Sequence, residues 1–175
     1  PFLMFILFGA EPILACYIIA LESLGWTVAA IVSSGAKERN ESLLLIRSGA
    51  TLISITSFAM VFIMPIGPLW AIGILSTIMG IGYGMSWSFV SKRIIANVPE
   101  SERTHVSASI PTFMRVSMAL GSAFSGIIAN YSGFSETSSP DAARNVAFWC
   151  FAAFIPFIII GTLSAFRVSK SENNS

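Results

Sequence analysis

Residues 12–35 read PILACYIIALESLGWTVAAIVSSG, and residues 36–42 continue AKERNES. The first segment holds one charge, Glu22, in 24 residues, whereas the second holds four in seven. A helix rises about 1.5 Å per residue, so about 20 apolar residues cross the ~30 Å hydrocarbon core of a bilayer. The first segment is long enough to span, and the second reads as a surface loop. The alternation recurs, with mostly uncharged runs at roughly 48–64, 69–91, 106–132 and 145–166. Charged residues make up 11% of the chain and mean hydropathy is +0.77, against about 25% charged residues in soluble proteins. The expected fold is an all-α membrane protein, a polytopic helical bundle with five full transmembrane helices.

The basic residues orient this bundle. Of ten Lys and Arg, eight flank the joints after the first and third runs or the C-terminal end: Lys37, Arg39, Arg47, Lys92, Arg93, Arg103, Arg167 and Lys170. The joint Met64-Pro65-Ile66-Gly67-Pro68 has none, and the joint after the fourth run has Arg144 alone. Lys and Arg accumulate on the cytoplasmic side, so the C-terminus is expected inside and residue 1 outside. The chain opens on Pro1 within the apolar Phe2-Leu3-Met4-Phe5-Ile6-Leu7-Phe8 and has no basic leader of the signal-peptide kind. Residues 1–9 therefore read as the end of a truncated transmembrane helix, residues 10–167 as a five-helix part of a transmembrane bundle, and residues 168–175 as a disordered cytoplasmic tail. Pro156 and Gly161 are expected to kink the last span.

Several chemistries find no support. Net charge is +1 and no basic stripe with interleaved aromatics occurs, so nothing points to a nucleic-acid partner. Cys16 and Cys150 sit in or beside apolar runs without metal-like spacing and read as packing residues. His105 has no second ligand at a helical offset, so neither a metal nor a cofactor is expected. There is no His/Glu cluster, Ser/Lys pair or intramembrane Asp pair at catalytic spacing, so the chain does not read as an enzyme.

Small residues recur every four positions in the third run, at Ser76, Gly80, Gly84 and Ser88. The fourth run carries a similar stripe, Ala108, Pro111, Arg115, Ala119, Ser122, Gly126 and Ala129. In lipid, close backbone approach through small residues does much of the packing, so Ala119, Ser122 and Gly126 are expected at a helix interface like their counterparts in the third run. Gly80-Ile81-Gly82-Tyr83-Gly84 has the glycine spacing of a nucleotide-binding turn, but no strand precedes it.

Two charges lie within spans. Glu22 is ten residues into its run, close to the midplane, and Arg115 belongs to the fourth run's small-residue stripe. A charge at the centre of a spanning helix costs roughly 2.5–3.5 kcal/mol on insertion scales, so such groups face protein or a water-filled cavity. A midplane carboxyl whose exposure alternates can take a proton on one side and release it on the other. Glu22 is thus a candidate for proton coupling or cation recognition, and Arg115 for substrate contact or gating. A structural carboxyl and a packing arginine are the alternatives. Trp26 shares a helix face with Glu22, one turn away, and Tyr83 and Trp87 repeat that spacing. These aromatics are candidates to line a central cavity for hydrophobic or cationic compounds, with packing as the alternative.

Three segments carry a family resemblance. Leu21-Glu22-Ser23-Leu24-Gly25-Trp26-Thr27 resembles the Gly-Trp-Thr segment in the eighth helix of the major facilitator superfamily, in its bacterial multidrug-efflux-like branch. Gly80 to Gly84 followed by Ser91-Lys92-Arg93 resembles the tenth helix and its exit. Pro99-Glu100-Ser101-Glu102-Arg103, with Ala119-Leu120-Gly121-Ser122-Ala123-Phe124-Ser125-Gly126, resembles the eleventh. The family's cytoplasmic signature is Gly, three residues, Asp, a basic residue, one residue, Gly and two basic residues. The chain departs from it after Gly35: the acid, Glu38, is one place early, and the second Gly is absent.

The resemblance implies the C-terminal half of a two-bundle fold, with inverted repeats around a central cavity. It also implies a multi-pass protein of the bacterial inner membrane, a partner bundle N-terminal to this one, a small-molecule substrate and protons as coupling ion. The function expected is secondary active transport, as proton-coupled efflux. A non-transporting membrane scaffold or assembly subunit is the alternative.

Overall fold

A computed structural model describes residues 2–36, 39–134 and 139–171. Among them the chain is helical apart from short connections: α1 (Phe2–Phe8), α2 (Pro12–Ser33), α3 (Arg39–Ile66), α4 (Leu69–Ala96), a 3₁₀ turn (Glu100–Glu102), α5 (Arg103–Tyr131), α6 (Pro140–Ala152) and α7 (Ile155–Ser171). Five helical stretches are long and apolar enough to cross a bilayer: Pro12–Ser33, Asn40–Ile66, Leu69–Ala96, Glu100–Tyr131 and Pro140–Arg167. The chain is a multi-pass helical membrane protein.

Helices outrun the apolar runs because backbone hydrogen bonding continues into the interface after the hydrocarbon ends. α3 begins at Arg39 rather than near residue 48, and α5 at Arg103 rather than 106. The fifth span starts at Pro140, not 145: the Ser139 side chain accepts a hydrogen bond from the Ala142 N–H at 3.2 Å, and Pro140 takes the first helical position. That span is then broken between α6 and α7. Pro156 has no N–H to donate to Ala152, so the break falls one turn before it, while Gly161 lies within unbroken α7. Residues 168–171, expected to begin a disordered tail, continue α7, and 172–175 lie outside the described residues, as do Lys37 and Glu38.

One end of the bundle holds a buried apolar cluster: Met4 and Ala10 from around α1, Ala15 and Ile18 of α2, Met60 and Met64 of α3, Ile72 of α4 and Ala147 of α6. Gly9, with φ +63°, turns the chain there, and the Ala10 N–H donates to the Met4 carbonyl at 3.3 Å. The opposite end gathers basic residues. Arg93 at the end of α4 donates to the Ser42 hydroxyl at the start of α3, 3.4 Å away. The Arg47 guanidinium lies 5.5 Å from the Phe166 ring centre, which brings the start of α3 to the end of α7.

α4 is clamped between α2 and α3, and its glycines explain how. Gly80 and Gly84 face α2, where an added Cβ would collide with the carbonyl oxygens of Glu22 and Trp26. Gly82, on the other side, faces α3, where a Cβ would stand 2.8 Å from the Gly49 carbonyl oxygen. The Gly-x-Gly-x-Gly sequence thus serves both neighbours of one helix. Ser76, Gly80 and Gly84 are buried, and Ser88 is exposed. The stripe on α5 departs from expectation: Ala119, Ser122 and Gly126 are exposed, and a Cβ at Gly126 would meet nothing within 4 Å. α5 has no buried residue, because it touches α4 and α6 only sparsely.

Candidate functional site

α2, α4 and α5 line an open-sided cavity of about 630 Å³. Glu22 and Trp26 enter it from α2, Tyr83 and Trp87 from α4. Each pair is four residues apart on its helix and so shares a face. The two helices run parallel, with Gly80 against Glu22 and Gly84 against Trp26, and this contact sets the pairs side by side. Trp26 and Tyr83 stack with ring centres 5.6 Å apart and planes 18° from parallel. All four of these sequence-derived candidates therefore line one space.

Arg115 does not join them. It is exposed, and at 100° per residue it points roughly 140° away from the mean direction of the α5 residues that line the cavity. The α5 wall consists instead of Val106, Ile110, Phe113, Met114, Ser117 and Met118. Met114 and Met118 are one turn apart, which was the available signal for this face. The small-residue stripe on the far side drew the reading away from it.

The cavity's chemistry is lopsided. Glu22 is its sole formally charged residue among those described, and no Lys or Arg lines it. Tyr83 lies within electrostatic reach of the carboxyl. Otherwise the walls are aromatic, aliphatic and thioether groups, with the Ser117 hydroxyl added. Glu22 and Met118 mark its midplane end, while Ile94 near the end of α4 and Val106 near the start of α5 mark its basic end. Methionine and aromatic walls adapt to varied apolar shapes, and an aromatic face attracts cations. Both cysteines are free, Cys16 exposed and Cys150 partly buried against α5.

A polytopic helical membrane protein with one carboxyl in an aromatic intramembrane cavity is the class that fold and site define. The chain is similar to two curated proteins from two strains of Mycobacterium tuberculosis, each named a probable multidrug-efflux transporter. Each is 25% identical over 171 residues, covering 92% of this chain and 34% of the relative. The chain thus spans about a third of the length of the curated relatives it matches. No protein-family model and no solved structure matches it.

Proposed function

We propose that this chain forms most of the C-terminal bundle of a major-facilitator-type secondary transporter of the bacterial inner membrane, C-terminus cytoplasmic, which exports an amphipathic small molecule in exchange for protons. The observation that carries this reading is Glu22, a lone carboxyl at mid-span in a cavity of aromatic and methionine side chains. Desolvation disfavours its charged form, whereas water or a bound cation favours it. When the cavity faces the cytoplasm, substrate entry displaces the proton of Glu22 to that side. When it faces outward, an incoming proton neutralises the carboxyl and the substrate leaves. One half-cycle carries the substrate outward and the other carries the proton inward, so each full cycle exchanges one proton for one substrate and an inward proton gradient drives export.

The missing wall of the cavity and the exposed Arg115 face of α5 both call for more protein. A mid-span cation facing hydrocarbon is costly, and an N-terminal bundle of the same protein would cover it. The similarity to probable multidrug-efflux transporters supports export over import. The test uses the full-length protein in vesicles with an imposed pH gradient and an amphipathic fluorescent dye. Gradient-dependent dye movement that is lost in Glu22→Gln supports the reading. Full, pH-independent activity in Glu22→Gln removes the coupling role, and absence of dye movement in the wild type favours the scaffold alternative.

A further inference from the structure

Glycines hold α4 close to both of its neighbours, but only the α2 interface touches the cavity. On the α3 side, a Cβ at Gly49 would stand 2.5 Å from the Gly82 carbonyl oxygen and 3.0 Å from Ser86 Cβ. Neither glycine lines the cavity. On the α2 side, a Cβ at Gly80 would overlap the Glu22 carbonyl and stand 3.1 Å from Glu22 Cα. One turn further, a Cβ at Gly84 would overlap the Trp26 carbonyl and stand 2.9 Å from Ala29 Cβ. The backbone atoms in these contacts belong to the two α2 residues that enter the cavity, and a helical carbonyl cannot turn aside as a side chain can.

We propose that Gly80 and Gly84 are positioning residues for the cavity: by admitting the α2 backbone at Glu22 and Trp26, they set how far the carboxyl and the indole stand from Tyr83 and Trp87. A methyl at either position drives α2 outward. The Trp26–Tyr83 stack then opens, and the carboxyl retreats from the phenol and from the α5 wall. The selectivity of the cavity is thereby written into two residues that need touch no substrate. This rests on reading the cavity as the transport site, but the positioning itself is measurable without transport.

The experiment compares Gly80→Ala and Gly84→Ala with Gly82→Ala and Gly49→Ala in the full-length protein, purified in detergent. Each is labelled with a hydrophobic carbodiimide, which reacts with protonated carboxyls in apolar surroundings, and the labelling specific to Glu22 is obtained by subtracting Glu22→Gln. Besides Glu22, Tyr83 is the one titratable side chain among the described lining residues, so few other groups confound the profile. The α2-side substitutions are expected to move the pH midpoint of Glu22 labelling by about 0.5 unit or more, a threefold change in protonated fraction, while the α3-side ones leave it in place. Midpoints that coincide in all four, or that move as far in Gly82→Ala, overturn the proposal. So does failure of both α2-side variants to fold while the α3-side ones fold, since the glycines would then be packing residues only. Loss of gradient-driven transport in the wild type would sink the transport reading and leave this result standing.

Discussion

Glycine 82 offers the most quantitative test of how the bundle is held. Its added Cβ would stand 2.8 Å from the Gly49 carbonyl oxygen and 2.9 Å from Ile53 Cγ1, and the reciprocal Cβ on Gly49 would stand 2.5 Å from the Gly82 oxygen. Carbon contacts settle at about 3.5 Å or beyond, so either alanine must push α3 and α4 apart by roughly 0.5–1 Å. Overpacking of this kind costs about 1–3 kcal/mol. Both substitutions act on the same gap, so the parting made by the first leaves room for the second. The double variant should cost less than the sum of the singles, with a coupling of about 0.5–2 kcal/mol. Gly25→Ala presses on Thr77 and Ile81 across the α2 interface instead. Combined with Gly49→Ala it should be additive within about 0.5 kcal/mol. Gly121, whose Cβ would meet nothing within 4 Å, supplies a control. The assay is reversible unfolding of the full-length protein in mixed micelles, read by circular dichroism against denaturing-detergent fraction. Strict additivity of Gly49→Ala with Gly82→Ala, or single costs below about 0.5 kcal/mol, would refute the close-contact account.

Three other outcomes follow from the same packing. Ile72 is 1% exposed at the core of the charge-poor end, and Ile72→Ala should cost about 2–5 kcal/mol in the same unfolding assay, whereas Ile13→Ala, at 61% exposed, should cost under about 0.5. Ser54 of α3 and Thr162 of α7 share a hydrogen bond that ties α3 to the second half of the fifth span. A double-mutant cycle with Ser54→Ala and Thr162→Val should return about 0.6 kcal/mol and no more than about 1.7, as inter-helix hydrogen bonds in membranes do. Ser139→Ala should cost about 0.5–2 kcal/mol by uncapping α6, with faster hydrogen exchange at Ala142 and Ala143 as the local sign.

Hydropathy and charge made the five spans legible, because hydrocarbon thickness imposes a length on every crossing. Four-residue spacing made half of the site legible: Glu22 with Trp26, and Tyr83 with Trp87, had to share faces, and the helix contact then brought the faces together. The α5 wall was not legible. Periodicity defines the faces of a helix but not which face finds a neighbour, and α5 has one face of small residues and another of Met114 and Met118. Both are plausible interfaces in sequence, and the arrangement of α4 and α6 chooses between them. Arg115 lies apart from the cavity for the same reason, since its small-residue stripe faces away from the helices that line it. The apolar run starts only at 145 because Asp141 and Arg144 are charged, although Ser139-Pro140-Asp141 is a helix-start signal. Asp141 and Arg144 in fact pair at 3.0 Å on the surface of the first turn of α6.

The central claim is that Glu22 holds either a proton or the substrate's interactions, but not both. Proton release on ligand binding tests this most directly. A lipophilic phosphonium cation is titrated into the full-length protein in lightly buffered detergent solution, at a pH where Glu22 is mainly protonated, and the pH change is recorded. The account predicts release of a proton per bound cation from the wild type and none from Glu22→Gln. Binding without proton release in the wild type, or equal release from both proteins, would contradict it.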